Sequence, residues 1–374
     1  MWQTMRNEKA MKIKTAREIE QQFNLLRMLL ALGIALGIAF VIILLISPDP
    51  LGAIKSFVLG PLATLRRMGN VVEVMTPLLF TGAAVCLIFS ANQTNMAVEG
   101  GFLVGAVGAT IAATQFNLPA GVHPLVSILI GGIFGSLACM VPAILYVKFE
   151  AKPVVSSLMM NYVCMYVALG IINHILRDPA AGYLASFKFA DTAVLPKLLK
   201  GTNMHAGTII GLTIVVLTYL YLYKSKRGYE IRIVGKSMSF SNYSGMPIKK
   251  VLLSAQALGG FIAGMGGAVE VLGMYKRFQY QGNTGHGFDG ILVGIIASYN
   301  PKLVPLAALF LAYVRVGADA MARTNDIPIE LVSIIQAVII MLVVAERFLH
   351  KMKHKRLVLA ARQESNAKVV GANE

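Results

Sequence analysis

A chain of 374 residues that is 56% hydrophobic and 14% charged, with a mean hydropathy of +0.67, cannot cover a soluble surface with polar atoms and belongs in a membrane. Its net charge of +16 does not indicate nucleic acid, because no basic groove with interleaved aromatics is visible; the charge fits anchoring beside anionic lipid. Cys86, Cys139 and Cys164 fall in apolar runs without metal-ligand spacing and read as reduced core residues.

Residues 1–24 form a polar cytoplasmic segment in which Met11, Ile19 and Phe23 allow either an amphipathic helix on the inner leaflet or a solvated tail. A polytopic domain follows over residues 25–346, then a basic cytoplasmic tail over 347–374. The expected fold is an all-α membrane protein of about ten segments, at roughly Leu25–Ser47, Met75–Ser90, Gly100–Ala113, Pro124–Val147, Ser156–Ile175, Ala206–Tyr223, Val251–Met274, Gly290–Ser298, Leu303–Val316 and Ile329–Val344. With ten crossings, the basic N-terminal tail, the Lys148/Lys152 loop, the stretch Lys224–Lys250 and the basic C-terminal tail share one face, which the positive-inside rule makes cytoplasmic. The 176–205 loop then falls outside, and its Pro, Gly and Ser content predicts a folded external loop.

The runs at 100–113, 290–298 and 303–316 are short for a crossing and suggest broken or re-entrant helices. Gly101-Phe-Leu-Val-Gly105 echoes Gly290-Ile-Leu-Val-Gly294, each just after an acid, Glu99 or Asp289, as an inverted repeat would require.

Acids at membrane depth are functional candidates. Glu99, with Asn95 nearby, reads either as a residue lining a translocation path or as an acid favoured at a helix start. Glu270, inside a glycine-dense run, is a path candidate; Asp289 reads either as path-lining or as the cap of a short helix. Arg315 and Asp319, four apart, are spaced to pair on one helix face, and the pairs Gly33/Gly37, Gly131/Gly135 and Gly260/Gly264 signal close helix packing. His174, His205 and His286 stand alone, and no metal site is expected.

Gly235-Lys236-Ser237 ends like a phosphate-binding loop, but Glu230 stands where the first glycine is needed and no strand precedes it. Nothing marks a catalytic residue. The 224–250 loop is longer than a connector requires; Ser237 or Ser239 is placed to cap a short helix that Gly245 ends, a shape suited to docking a cytosolic partner.

Three stretches carry a resemblance: ANQTNMAVEGGFLVGA, VVSSLMMNYVCMYV and GGFIAGMGGAVEVLGMYKRF with GFDGILVGIIASYNP. From residue 72 onward the chain resembles permease subunits of bacterial ABC importers for simple sugars and nucleosides, the ribose-permease-like family, and within it the longer permease of the nucleoside branch. The resemblance implies a transporter subunit and no enzyme. The implied partners are a cytosolic ABC ATPase holding ATP and magnesium, a different and shorter second permease, an extracytoplasmic substrate-binding protein and membrane lipid, with no nucleic acid and no cofactor in this chain. It implies the bacterial inner membrane, with both termini cytoplasmic. The family's coupling segment maps onto Gly228, Glu230, Arg232, Gly235, Asn242, Tyr243 and Gly245, the expected ATPase contact. Where the family has Gly and Gln in its acid motif, this chain has Ala97 before Glu99 and Gly101 after it. A nucleoside is the expected substrate, with a simple sugar or riboflavin as the alternative, or an ion-coupled secondary transporter using Glu99 or Glu270.

Overall fold

The computed structural model describes residues 49–199 and 201–324, with isolated positions at 37, 44 and 337. The expected segments Leu25–Ser47 and Ile329–Val344, the pair Gly33/Gly37 and both tails lie outside this range or are not covered by it. Within it every regular element is helical: α1 Pro50–Leu59, α2 Leu65–Ser90, α3 Val98–Gln115, α4 Val122–Phe149, α5 Pro153–His174, α6 Gly207–Lys224, α7 Lys226–Lys236, α8 Met238–Tyr243, α9 Ile248–Met274, α10 His286–Ile296 and α11 Val304–Thr324. Single 3-10 turns at Gly60–Leu62 and Pro301–Leu303 precede α2 and α11. Among the described residues six helices are long and apolar enough to cross a membrane: α2, α4, α5, α6, α9, and α11 with its leading turn.

One of the three segments expected to be short is not: the Leu303–Val316 run belongs to the 21-residue α11, which runs on through Arg315, Asp319 and Arg323, with Arg315 charge-paired to Asp289 on a neighbouring helix. The Gly100–Ala113 run lies in α3, 18 residues long and not among the six, and α10 has 11 residues.

The compact unit spanning Lys55–Thr324 is organised around α9, which packs against α4, α3 and α2. Glycine permits this contact. A Cβ on Gly131 of α4 would lie 2.7 Å from the Gly105 carbonyl oxygen of α3, and one on Gly260 of α9 would lie 2.7 Å from the Gly135 carbonyl oxygen of α4. With no side chain between them the three backbones meet directly, as the GxxxG spacing anticipated. By contrast α5 and α6 are peripheral, and turn Val155, Met159, Tyr162, Tyr166, Val216 and Leu217 outward, the pattern of a lipid-facing surface.

The segment between α5 and α6 is folded, as its composition predicted. Its backbone pairs with the end of α9 and the loop beyond: Ser186 N donates to Phe278 O at 3.0 Å, Phe189 N to Lys276 O at 3.0 Å and Leu195 N to Leu272 O at 3.0 Å. Arg277 closes on Asp178 at 3.1 Å, while Leu176, Phe189, Leu195 and Phe278 are buried beneath.

Candidate functional site

The site begins where α2 ends. Asn92, with φ 55°, turns the chain into a left-handed conformation that asparagine tolerates, and the next residues drop into the interior. Gln93 and Asn95 are buried there with Gln256 of α9. Gln256 Nε2 donates to Gln93 Oε1 at 2.9 Å, and Asn95 Nδ2 donates to Gln256 Oε1 at 2.8 Å and to the Cys139 carbonyl at 3.1 Å. Asn95 Oδ1 accepts from Ala97 N at 2.9 Å. Asn95 thus braces the loop entering α3 against α4 and α9.

A second amide braces the same turn from α5. Asn161 donates through Nδ2 to Met96 O at 3.0 Å and accepts at Oδ1 from Gly100 N at 2.9 Å, and Ser157 Oγ accepts from Met96 N at 2.9 Å. At the start of α3 the Ala97 and Gly100 N–H groups are therefore met by side chains, which offsets part of the cost of a buried helix start. Gln256, Asn161 and Ser157 escaped notice in the sequence; the signal was a lone amide within each of two apolar runs.

Glu99 lies in that first turn and is fully buried. Its carboxylate reaches across to α10: Oε1 accepts from Gly285 N at 2.7 Å and from Thr284 Oγ1 at 3.0 Å, and Oε2 accepts from Gly287 N at 2.6 Å. One carboxylate thus satisfies the start of a helix 186 residues away while sitting at the start of its own. Gly285, with φ +79°, supplies the left-handed N-cap, and Gly287 packs so closely on the Glu99 backbone that no Cβ fits. The two segments that echo each other in sequence meet at their N-termini.

Asp289 is not the cap of α10. The helix begins three residues earlier, Gly285 is its cap, and Asp289 lies in the first turn. Its Oδ1 accepts from Arg315 Nη2 of α11 at 2.6 Å, so Arg315 pairs with Asp289 and not with Asp319, which is solvent-exposed. His286 sets its ring 5.2 Å from that of Phe102 on α3, a further tie between α10 and α3.

Glu270 of α9 is buried, and its Oε2 has no hydrogen-bond partner. It shares a region with Tyr275 and Tyr280 in the loop beyond α9. Burial pushes the Tyr280 phenol well above its usual range, and the charges of Glu270 and, more weakly, Glu99 push the same way. Tyr280 packs edge-on against Tyr275 at 5.5 Å and Phe278 at 5.3 Å. Glu99 and Asp289 therefore meet at the start of α10, Glu270 is buried on α9, and Asn95 belongs to the bracing network.

At the other end of α6 lie the residues of the 224–250 loop. Ser225 Oγ caps α7 by accepting from Gly228 N at 3.0 Å, and Ser237, not Ser239, caps α8 by accepting from Phe240 N at 3.2 Å. Gly245, with φ +71°, follows the end of α8. Gly228 is pressed on Tyr221 and Leu222, and Gly235 on the Ser90 carbonyl at the end of α2, both without room for a Cβ. Ile231 and Val234 are buried between them, whereas Tyr229, Phe240, Asn242 and Tyr243 face outward, Tyr243 at 92% exposure. Glu230 and Arg232 are half-buried. Among the described residues no group of three His, Cys, Asp or Glu side chains is placed to hold a metal ion.

Comparison with known proteins sets this architecture in context. Residues 67–344 match the family described as branched-chain amino acid transport system / permease component. The guanosine ABC transporter permease protein NupP of Bacillus subtilis is 31% identical over 76% of this chain and 82% of its own length. The glucose ABC transporter permease protein TsgB13 of Haloferax volcanii is 29% identical over 84% of this chain and 85% of its own. The nucleoside ABC transporter permease protein NupB of Lactococcus lactis is 25% identical over 91% of this chain and 96% of its own. No solved structure matches the chain. With the family's match running through the glycine-packed core, the Glu99 junction and the α7–α8 loop, the chain belongs to the branched-chain amino acid transport system / permease component family and is a multi-pass membrane permease.

Proposed function

We propose that this chain is a permease subunit of an ATP-driven importer in the bacterial inner membrane and that its substrate is a nucleoside. The observation that carries the reading is the α7–α8 knob. Two capped helices, too polar and too short to cross a membrane, stand between two spans and present Tyr229, Phe240 and Tyr243 outward. A cytosolic ATPase holding ATP and magnesium would dock there, on Gly228, Glu230, Arg232, Gly235, Asn242, Tyr243 and Gly245. The flanking Lys224, Lys226, Arg227, Lys249 and Lys250 support this end being inside. The folded 176–205 segment then faces outward, where an extracytoplasmic binding protein would deliver substrate. A second, shorter permease completes the path, and rocking of the pair alternates access.

Nucleosides are favoured because permeases named for guanosine and for nucleosides are among the relatives; those named for glucose and fructose keep a simple sugar as the second reading. In this reading Glu270, with its unpartnered oxygen, lines the path with Asp289, while Glu99 and Asn95 border it and fix its walls. The test is uptake of labelled nucleoside by proteoliposomes holding both permeases, the ATPase and the binding protein. Uptake that requires ATP and is outcompeted by unlabelled nucleoside but not by hexose is expected. Uptake that collapses with an ionophore at constant ATP overturns the importer, and competition by hexose alone replaces the substrate.

A further inference from the structure

Three contacts at the α7 end of the bundle line up in series. Arg232 of α7 donates from Nε to the Leu222 carbonyl at 2.9 Å and lays its guanidinium over the Tyr223 ring, 4.7 Å from the centroid. Tyr223 stacks on Tyr219, one turn earlier on α6, at 5.1 Å with 27° between the planes. Lys302 Nζ then stands 4.6 Å from the centre of the Tyr219 ring. The order is cation, ring, ring, cation, and it ties together three elements: the docking helix α7, the span α6, and the Pro301–Leu303 turn that starts α11. Each ring presents a negative π-face to a cation, an attraction that survives at a partly exposed site where a hydrogen bond to water would compete.

What lies beyond Lys302 gives the stack a use. Ser298 and Tyr299 have φ of 50° and 55°, two consecutive left-handed residues without glycine. Such a backbone persists only when its surroundings hold it. It joins α10 to α11, and these two helices are also clamped by Asp289 and Arg315. α10 in turn hangs from Glu99. The path from α7 to the start of α10 is thus made of rigid helices joined by named side-chain contacts and one strained turn, the kind of connection that moves as a unit.

Resting on the reading of α7 and α8 as the ATPase contact, we propose that Tyr219, Tyr223 and Lys302 are positioning residues that carry displacement of α7 into the α10–α11 pair and so couple ATP hydrolysis to movement of the path. The aromatic rings act as the linkage, and their hydroxyls are not required.

The test uses the complete importer in proteoliposomes, with uptake and ATP hydrolysis measured together. Tyr219→Leu and Lys302→Gln are expected to lower uptake about tenfold, the scale of one coupling contact, while complex yield and basal ATP hydrolysis stay at the parental level. ATP consumed per substrate transported therefore rises. Tyr219→Phe and Lys302→Arg keep the ring face and the cation and are expected to restore uptake. Parental uptake in Tyr219→Leu overturns the relay. So does an equal loss in Tyr219→Phe, or reduced complex yield in all four variants, which would make the stack a folding element. A parental complex whose uptake ignores ATP overturns the importer reading itself, a result distinguishable from failure of the relay because it appears without any substitution.

Discussion

Glu99 shows how one side chain can be legible in its own helix and silent about the helix it serves. A buried carboxylate is costly unless its oxygens are met, and here both are met by donors at the start of another helix. Its charge is set against the partial positive charge at two helix N-termini, so burial does not leave it alone in an apolar medium. Replacing it by Gln tests this. The amide oxygen can still accept from Gly285 N and Thr284 Oγ1, but the amide nitrogen must then face Gly287 N, donor against donor. Glu99→Gln is expected to cost about 3 kcal/mol, from a lost charge-assisted bond and an unmet buried N–H. A lower Tm in detergent together with reduced uptake is the expected result. Unchanged Tm with reduced uptake would instead assign the carboxylate to the substrate. The acid and its nearness to a helix start were readable from the Ala-Val-Glu-Gly-Gly run. That the helix it serves most directly is α10 was not, because a contact between residues 186 apart leaves no local pattern.

At the scale of elements, the glycines of the 224–250 loop divide by what surrounds them. Gly235 faces the Ser90 carbonyl and cannot carry a Cβ, so any substitution there disturbs the end of α2 along with α7. Gly245 has nothing within 4 Å of its would-be Cβ, and only its φ of +71° restricts the residue type. Gly245→Val is therefore the cleaner probe. It should cost about 1–2 kcal/mol locally, through the left-handed backbone alone. ATPase co-purification should fall while permease yield holds; undiminished co-purification would remove the α8 end from the contact. The caps at Ser237 and Gly245 were legible because Ser and Gly act on their own backbone within a few residues. The true length of α11 was not. Apolar runs stop at Arg315 in the sequence, but the helix does not, because the partner that makes the charge tolerable, Asp289, sits on another helix.

For the whole molecule, the direction in which the chain is threaded decides which face meets which partner. The basic loops argue for α7 and α8 inside and the 176–205 segment outside. The protein itself provides the means to check. Its described cysteines, Cys86, Cys139 and Cys164, are all buried in the helical core, so a charged, membrane-impermeant maleimide should leave the parent chain nearly unlabelled. Two exposed aromatics then serve as reporters: Tyr243 at the end of α8 and Phe187 in the folded 176–205 segment, at 92% and 44% exposure. In sealed right-side-out vesicles Phe187→Cys is expected to label and Tyr243→Cys to label only after permeabilisation, with the order exchanged in inverted vesicles. Labelling of both from one side would place α7–α8 and the 176–205 segment on the same face. That outcome would break the threading of α6 between them and with it the assignment of separate ATPase and binding-protein surfaces. Because α6 carries Tyr219 and Tyr223 and runs continuously from the 176–205 segment to α7, the labelling result decides whether it connects the inner face to the outer one.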